Sequence, residues 1–169
     1  PFIQKYLECG VDSGITPKSF QTTCFLQKMD WQRTKEAQDK WWVLDRWGPS
    51  GTVYGFLDEI QEEQFADLTK FSIAFNEYVS FSDPNFRLLE KPAIGFILTC
   101  DAKTALERQR IRGGEASVYE SVKKQERLGT LFKLYAMRDK SYNLIDTTDL
   151  TLEEVYSTIE KAIVKVFSL

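Results

Sequence analysis

Two short segments carry most of the side chains that could do chemistry. The first is Asp45-Arg46-Trp47-Gly48-Pro49-Ser50-Gly51-Thr52-Val53-Tyr54. Its carboxylate could hold Mg²⁺ through water or accept a proton, and the neighbouring guanidinium could grip phosphate oxygens as a fork. The second is Glu107-Arg108-Gln109-Arg110-Ile111-Arg112-Gly113-Gly114-Glu115. Arg108 and Arg112 stand at i and i+4, so on a helix they project from one face, and the two glycines let the chain leave as a flap. Paired arginines on a closing flap suit phosphoryl transfer, where charge spreads over the transferring oxygens and must be met once water is excluded. Both segments also have plainer readings. Asp45 and Arg46 could form a surface ion pair with Asp45 as a cap, and an arginine-rich helix end complements the helix dipole. A third set is Ser19-Phe20-Gln21 with Lys28 and Asp30. Gln21 donates and accepts at once, as reading a base edge requires, and Phe20 offers a stacking face; an aromatic on a helical stripe is equally a core residue.

Composition removes other chemistries. Histidine is absent, which excludes Ser/His/Asp and Cys/His nucleophile systems and every His-bearing metal site. Cys9, Cys24 and Cys100 have no metal-type spacing, and an odd count fits a reducing intracellular compartment, cytoplasmic or organellar matrix. The net charge of −3 gives no pull toward nucleic acid or a membrane surface. No apolar run approaches the roughly 20 residues of a spanning helix, and Pro1-Phe2-Ile3-Gln4-Lys5 lacks the order of a secretion signal. With 169 residues, 43% of them hydrophobic, the chain predicts a single domain around one core.

The elements that must position these groups follow from apolar patterning. Trp41-Trp42-Val43-Leu44 ending at Asp45, Ala93-Ile94-Gly95-Phe96-Ile97-Leu98 ending at Thr99, and Tyr142-Asn143-Leu144-Ile145 ending at Asp146 are nearly continuous runs, as in strands of a parallel sheet covered on both faces. Helical pattern follows each, which predicts an α/β, three-layer parallel sheet flanked by helices. Helices are expected from Pro17 to about Gln38, with Phe20, Cys24, Phe25 and Met29 on one stripe, and from Glu62 to Phe81, with Phe65, Leu68, Ile73, Phe75 and Val79 inward. Asp101 can cap a helix running toward Arg112. Another spans Val118 to Met137 across Gly129, and Thr151 with Glu154 forms a capping box opening the last, whose Val155, Ile159, Ile163 and Val166 face inward. Pro49, Pro84 and Pro92 are expected in loops. Ligands of a parallel sheet gather at the C-terminal strand ends, where Asp45 would then lie.

In order along the chain these segments resemble the thymidylate kinase and deoxynucleoside kinase families, which share a P-loop kinase fold. Asp45-Arg46-Trp47-x-x-Ser50-Gly51-x-x-Tyr54 is similar to the Asp-Arg-Tyr-x-x-Ser-Gly-x-Ala-Tyr signature of thymidylate kinases, and deoxynucleoside kinases carry Glu/Asp-Arg-Ser there. Pro1-Phe2-Ile3 through Tyr6, then Ser19-Phe20-Gln21, looks more like the deoxynucleoside branch. Arg108-x-x-x-Arg112-Gly113 with Glu115 resembles the shared lid, around 108–117, and Leu144-Ile145-Asp146-Thr147 resembles the strand before the last helix. The resemblance implies ATP and Mg²⁺ as cofactors and a deoxynucleoside or its monophosphate as acceptor. Asp45 would position Mg²⁺ or the acceptor, Arg46 would hold its phosphate or 5′-oxygen, Tyr54 would pack near the deoxyribose, and Trp47 and Ser50 would also bind substrate. Phe20 and Gln21 would face the base, Arg108 and Arg112 would clamp the phosphoryl group, and Glu115 would contact the sugar. By fold analogy it also implies a homodimer.

This sequence departs from the families in two ways. Trp47 stands where they have Tyr or Ser, followed by Gly48-Pro49, and no Gly-x-x-x-x-Gly-Lys-Ser/Thr loop occurs. That loop follows the first strand and cradles the nucleotide phosphates, so the strand and loop are expected to precede Pro1. A catalytically inactive kinase-fold subunit that truly lacks the loop is the alternative.

Overall fold

The computed structural model describes residues 9–38, 41–60, 67–86, 88, 91–113 and 121–168. The chain falls into two compact units, Pro1–Glu90 and Lys91–Leu169. It is mostly helical, with a two-stranded parallel sheet among the described residues.

In Pro1–Glu90 every regular element described is helical. After a 3₁₀ turn at Gly10–Ser13, helix α1 spans Pro17–Gln32. The Thr16 hydroxyl caps it by accepting from the Ser19 amide, and Pro17 supplies the preset φ of a first turn. The helix expected to reach Gln38 breaks at Thr34, whose hydroxyl donates to the Trp31 carbonyl at 2.7 Å and accepts from the Ala37 amide at 3.3 Å. That one side chain closes α1 and opens the short α2, Lys35–Gln38.

Helix α3, Gly48–Glu59, is the hub of this unit. Gly48, Pro49, Thr52, Val53, Gly55, Phe56 and Leu57 are all buried. Pro49 therefore lies in the first turn of a helix, where its missing N–H costs nothing, and not in a loop. Helix α4, Leu68–Phe86, is capped by Asp67, whose carboxylate accepts from the Thr69 and Lys70 amides. It runs past position 84, so that proline too is not in a loop. Phe71, Phe75, Tyr78 and Val79 turn inward, and the Phe56 ring meets those of Phe71, Phe75 and Tyr78 edge-on at 5.8, 5.1 and 5.6 Å. Ile73, expected in this stripe, is 54% exposed: two residues from Phe71 and from Phe75, it points about 200° away from each. Phe65 and the expected helix start at Glu62 lie outside the described residues.

The Trp41–Leu44 run is not a strand. It is irregular and exposed, with Val43 fully open to solvent. A strand exists only where a neighbour pairs its backbone, and the described elements of this unit are helices. Trp42 packs with its ring edge-on to Trp31 at 5.1 Å and its Nε1 donating to the Ala37 carbonyl at 3.1 Å.

Lys91–Leu169 holds the sheet. Strands β1, Gly95–Thr99, and β2, Tyr142–Asp146, run parallel in a register pairing Gly95 with Tyr142 and Thr99 with Asp146. A Cβ at Gly95 would overlap the Tyr142 ring, so glycine lets that ring lie across β1. Helices α5, Ala102–Arg112, and α6, Val122–Arg138, make the crossover between the strands. Helix α6 packs on both strands through Leu128, Leu131, Tyr135 and Ala136, and continues through Gly129 as expected. Residues 118–120, where it was expected to begin, lie outside the described set. Helix α7, Leu152–Phe167, opens with the predicted Thr151/Glu154 capping box. Its inward stripe fades along the helix: Val155 is buried, Ile159 and Ile163 are half-buried, and Val166 is 49% exposed because the stripe outruns its cover. No helix among the described residues is long and apolar enough to cross a membrane.

Phe56 should therefore outweigh Ile73. Phe56→Ala is expected to lower unfolding free energy by about 3–5 kcal/mol in urea titrations. Ile73→Ala is expected to stay within about 0.5 kcal/mol of wild type.

Candidate functional site

The expected site residues of Pro1–Glu90 gather where α1 meets the start of α3. Gln21, Cys24, Lys28 and Trp31 recur at helical spacing, so α1 turns them to one side. Lys28 reaches across to the Asp45–Trp47 turn. Its Nζ donates to the Arg46 carbonyl at 3.1 Å and the Trp47 carbonyl at 3.2 Å, and lies 5.3 Å from the centre of the Trp47 ring. Burial pushes the Lys28 pKa below the usual lysine value, with the neighbouring Cys24 thiol opposing, and the same burial raises that of Cys24.

The turn itself is strained. Arg46 has φ +54°, the left-handed region that non-glycine residues avoid at a cost of about 1–2 kcal/mol. Lys28, tied to the carbonyls of this residue and the next, holds it there. The consequence is the placement of the guanidinium, whose Cζ lies 5.5 Å from the centre of the Tyr54 ring, one and a half turns into α3. A planar cation over an aromatic face keeps its edge donors free to meet anionic oxygens. Asp45, exposed beside it, does not stand at a strand end as expected, because the preceding run forms no strand. Ser50 and Gly51 are half-buried in the first turn of α3, and Phe20 is half-buried next to Gln21.

Gln21 lies against Gly55, one residue beyond Tyr54. A Cβ at Gly55 would fall 2.7 Å from Gln21 Cγ and 3.2 Å from its Cδ, and would overlap the Tyr78 hydroxyl oxygen. Nearby, a cavity of about 250 Å³ opens between α3 and α4, walled by the Phe56, Tyr78 and Phe81 side chains, with Lys18, Glu59 and Glu77 supplying charge. Lys18 stands 3.6 Å from the Glu59 carboxylate and 5.4 Å from the Phe81 ring centre.

In Lys91–Leu169 the polar groups collect at the C-terminal ends of β1 and β2. The Thr99 carbonyl accepts from both the amide (2.7 Å) and the hydroxyl (3.0 Å) of Thr147. Asp101 caps α5 as expected, accepting from the Thr104 amide at 2.7 Å, a bond that holds its carboxyl below the usual range. Hydrogen bonds from the Thr148 hydroxyl and amide do the same for Asp146. Arg108 spans this loop, donating to the Thr147 hydroxyl at 2.8 Å and the Thr147 carbonyl at 2.7 Å. Its guanidinium thus ties α5 to the β2–α7 connection. Arg110 pairs with Glu107, while Arg112 is exposed just before Gly113, whose φ of +71° ends the helix. Glu115 and most of the expected 108–117 lid lie outside the described residues.

No group of three or more acids or cysteines among the described residues could hold a metal ion. A single exposed carboxylate such as Asp45 does fit Mg²⁺, which keeps its waters and takes most other ligands from substrate phosphates. A scan against protein families, a search of the curated proteins and a search of solved structures find no match to this chain.

Of the residues that matter here, Lys28 was visible only as a companion of Gln21, and Tyr78 was not singled out. The available signals were a lysine at i+7 from Gln21 and one hydroxyl in a stripe of phenylalanines. Lys28→Met keeps the stem and removes both donors, leaving two carbonyls short of a partner. It is expected to cost about 1–3 kcal/mol of stability. Between its lowered pKa and the ordinary 10.5, the unfolded chain binds more protons at Lys28 than the folded one, so the wild type gains stability there as pH rises. The gap between wild type and variant, read by denaturant titration at stepped pH, should widen toward 10.5. A narrowing gap would contradict this account.

Proposed function

We propose that this protein transfers the γ-phosphoryl group of ATP to a deoxynucleoside or a deoxynucleoside monophosphate. The observation that carries the reading is the Arg46 turn: a guanidinium carried on a strained backbone and held over Tyr54, with Gln21 of the adjoining helix against the next residue of α3, Gly55. A fixed cation beside an aromatic wall suits an anionic or developing-anionic oxygen on a sugar. An amide nearby suits the hydrogen-bonding edge of a base. In this reading Arg46 binds the acceptor's phosphate or orients its 5′-oxygen, and Tyr54 packs on the deoxyribose with Trp47 and Ser50 beside it. Gln21 and Phe20 face the base. Asp45 would hold Mg²⁺, which neutralises charge on the phosphates when bound. Arg112 and Glu115 belong to a closing lid, and Arg108 steadies the helix that carries it. The parallel β1–β2 pair, with its α5–α6 crossover, would form part of the three-layer sheet of a P-loop kinase, and copies of the chain would pair as a homodimer.

One observation favours a second reading. The exposed run of Trp41 (82% exposed), Trp42, Val43 and Leu44 suits a subunit that is buried by assembly and catalyses nothing. Phosphoryl transfer decides between them. The full-length protein with ATP and Mg²⁺ is expected to phosphorylate at least one of thymidine, thymidylate and deoxycytidine, and Arg46→Ala to lower kcat/KM about 100-fold. Turnover of none of the three would leave the subunit reading standing.

A further inference from the structure

Tyr78 is 6% exposed, and its hydroxyl has no hydrogen-bond partner among the described residues. Leaving a buried hydroxyl unpaired costs about 1–3 kcal/mol, and phenylalanine, which fills the neighbouring positions 71 and 75 of the same stripe, would avoid that cost. The hydroxyl is also aimed at a particular place. It lies with the Gln21 side chain against Gly55 of α3, a buried glycine where a Cβ would collide with both. The same tyrosine lines the cavity between α3 and α4. Burial, with Glu59 and Asp58 adding to it, pushes its pKa up, so the hydroxyl keeps its proton and can donate.

We propose that Tyr78 is a specificity-determining residue: its hydroxyl and the Gln21 amide, which come together beside Gly55, jointly read the polar edge of the acceptor's heterocyclic base. This rests on the nucleoside kinase reading above. Gln21 presents one acceptor and two donors in a plane, and Tyr78 adds a third point from a different helix. Three hydrogen-bonding points discriminate bases that two leave ambiguous. Thymine and cytosine differ in this respect, because an acceptor oxygen beside an N–H in one becomes a donor amine beside a bare nitrogen in the other.

The test compares thymidine and deoxycytidine by calorimetry on the full-length protein and its Tyr78→Phe variant, with melting temperature measured in parallel. Wild type is expected to prefer one nucleoside. Tyr78→Phe is expected to weaken that one about tenfold, to leave the other within about twofold, and to melt no lower than wild type, because it deletes an unpaired polar atom. An unchanged preference ratio, or a variant that melts lower while both nucleosides weaken equally, would make Tyr78 a packing residue and overturn this inference alone. If wild type binds neither these nucleosides nor thymidylate, the kinase reading falls and the role of Tyr78 falls with it.

Discussion

A partly desolvated ammonium group holds the candidate site together. Lys28 gives its proton donors to two successive carbonyls and rests against the Trp47 ring. Either bond alone would fix a position; together they fix a dihedral angle, because they constrain the peptide on both sides of Trp47 Cα. The residue just before, Arg46, holds a left-handed conformation its side chain disfavours. Everything proposed for the site is measured from this turn. The guanidinium reaches Tyr54 because of it, and the start of α3, with Ser50 and Gly55 behind it, takes its direction from it.

Lys91–Leu169 reaches a similar end by neutral bonds. Its strand ends are locked by threonines: Thr147 donates twice to one carbonyl of β1, and the Thr148 hydroxyl serves both the Asp101 amide and the Asp146 carboxylate. Each hydroxyl works in two directions, so the loop needs no water to satisfy it at these points. Arg108 then closes the loop from α5. An arginine expected as a phosphate clamp is here also tied to backbone and hydroxyl oxygens of its own unit.

What could be read in advance was local. The strand ends at Thr99 and Asp146, the Asp101 cap and the Thr151/Glu154 box depend on residues within a few positions of one another. The Trp41–Leu44 run was misread because strand formation depends on a partner's backbone, which no property of those four residues reports. The break at Thr34 turned on one hydroxyl outcompeting helix continuation, and Ile73 on a 200° rotation hidden within an apolar-rich stretch. For the site, Gln21, Arg46 and Tyr54 were legible as segments. The Lys28–Arg46 tie, bridging residues eighteen apart, and the meeting of Tyr78 with Gln21 over a glycine needed the packing of three helices to appear.

The open Trp41–Leu44 run also bears on how the protein behaves in bulk. Four apolar residues without charge, irregular and exposed, are the kind of segment on which like chains stack edge to edge. A net charge of −3 provides only weak mutual repulsion between molecules. Lys40 and Asp45, immediately before and after the run, act as gatekeepers against parallel stacking, since an in-register copy would bring like charges into line at both ends. Resistance to that parallel stacking thus rests on the two flanking charges. One of them, Asp45, also belongs to the candidate site, so neutralising it for chemical reasons would remove half of that protection.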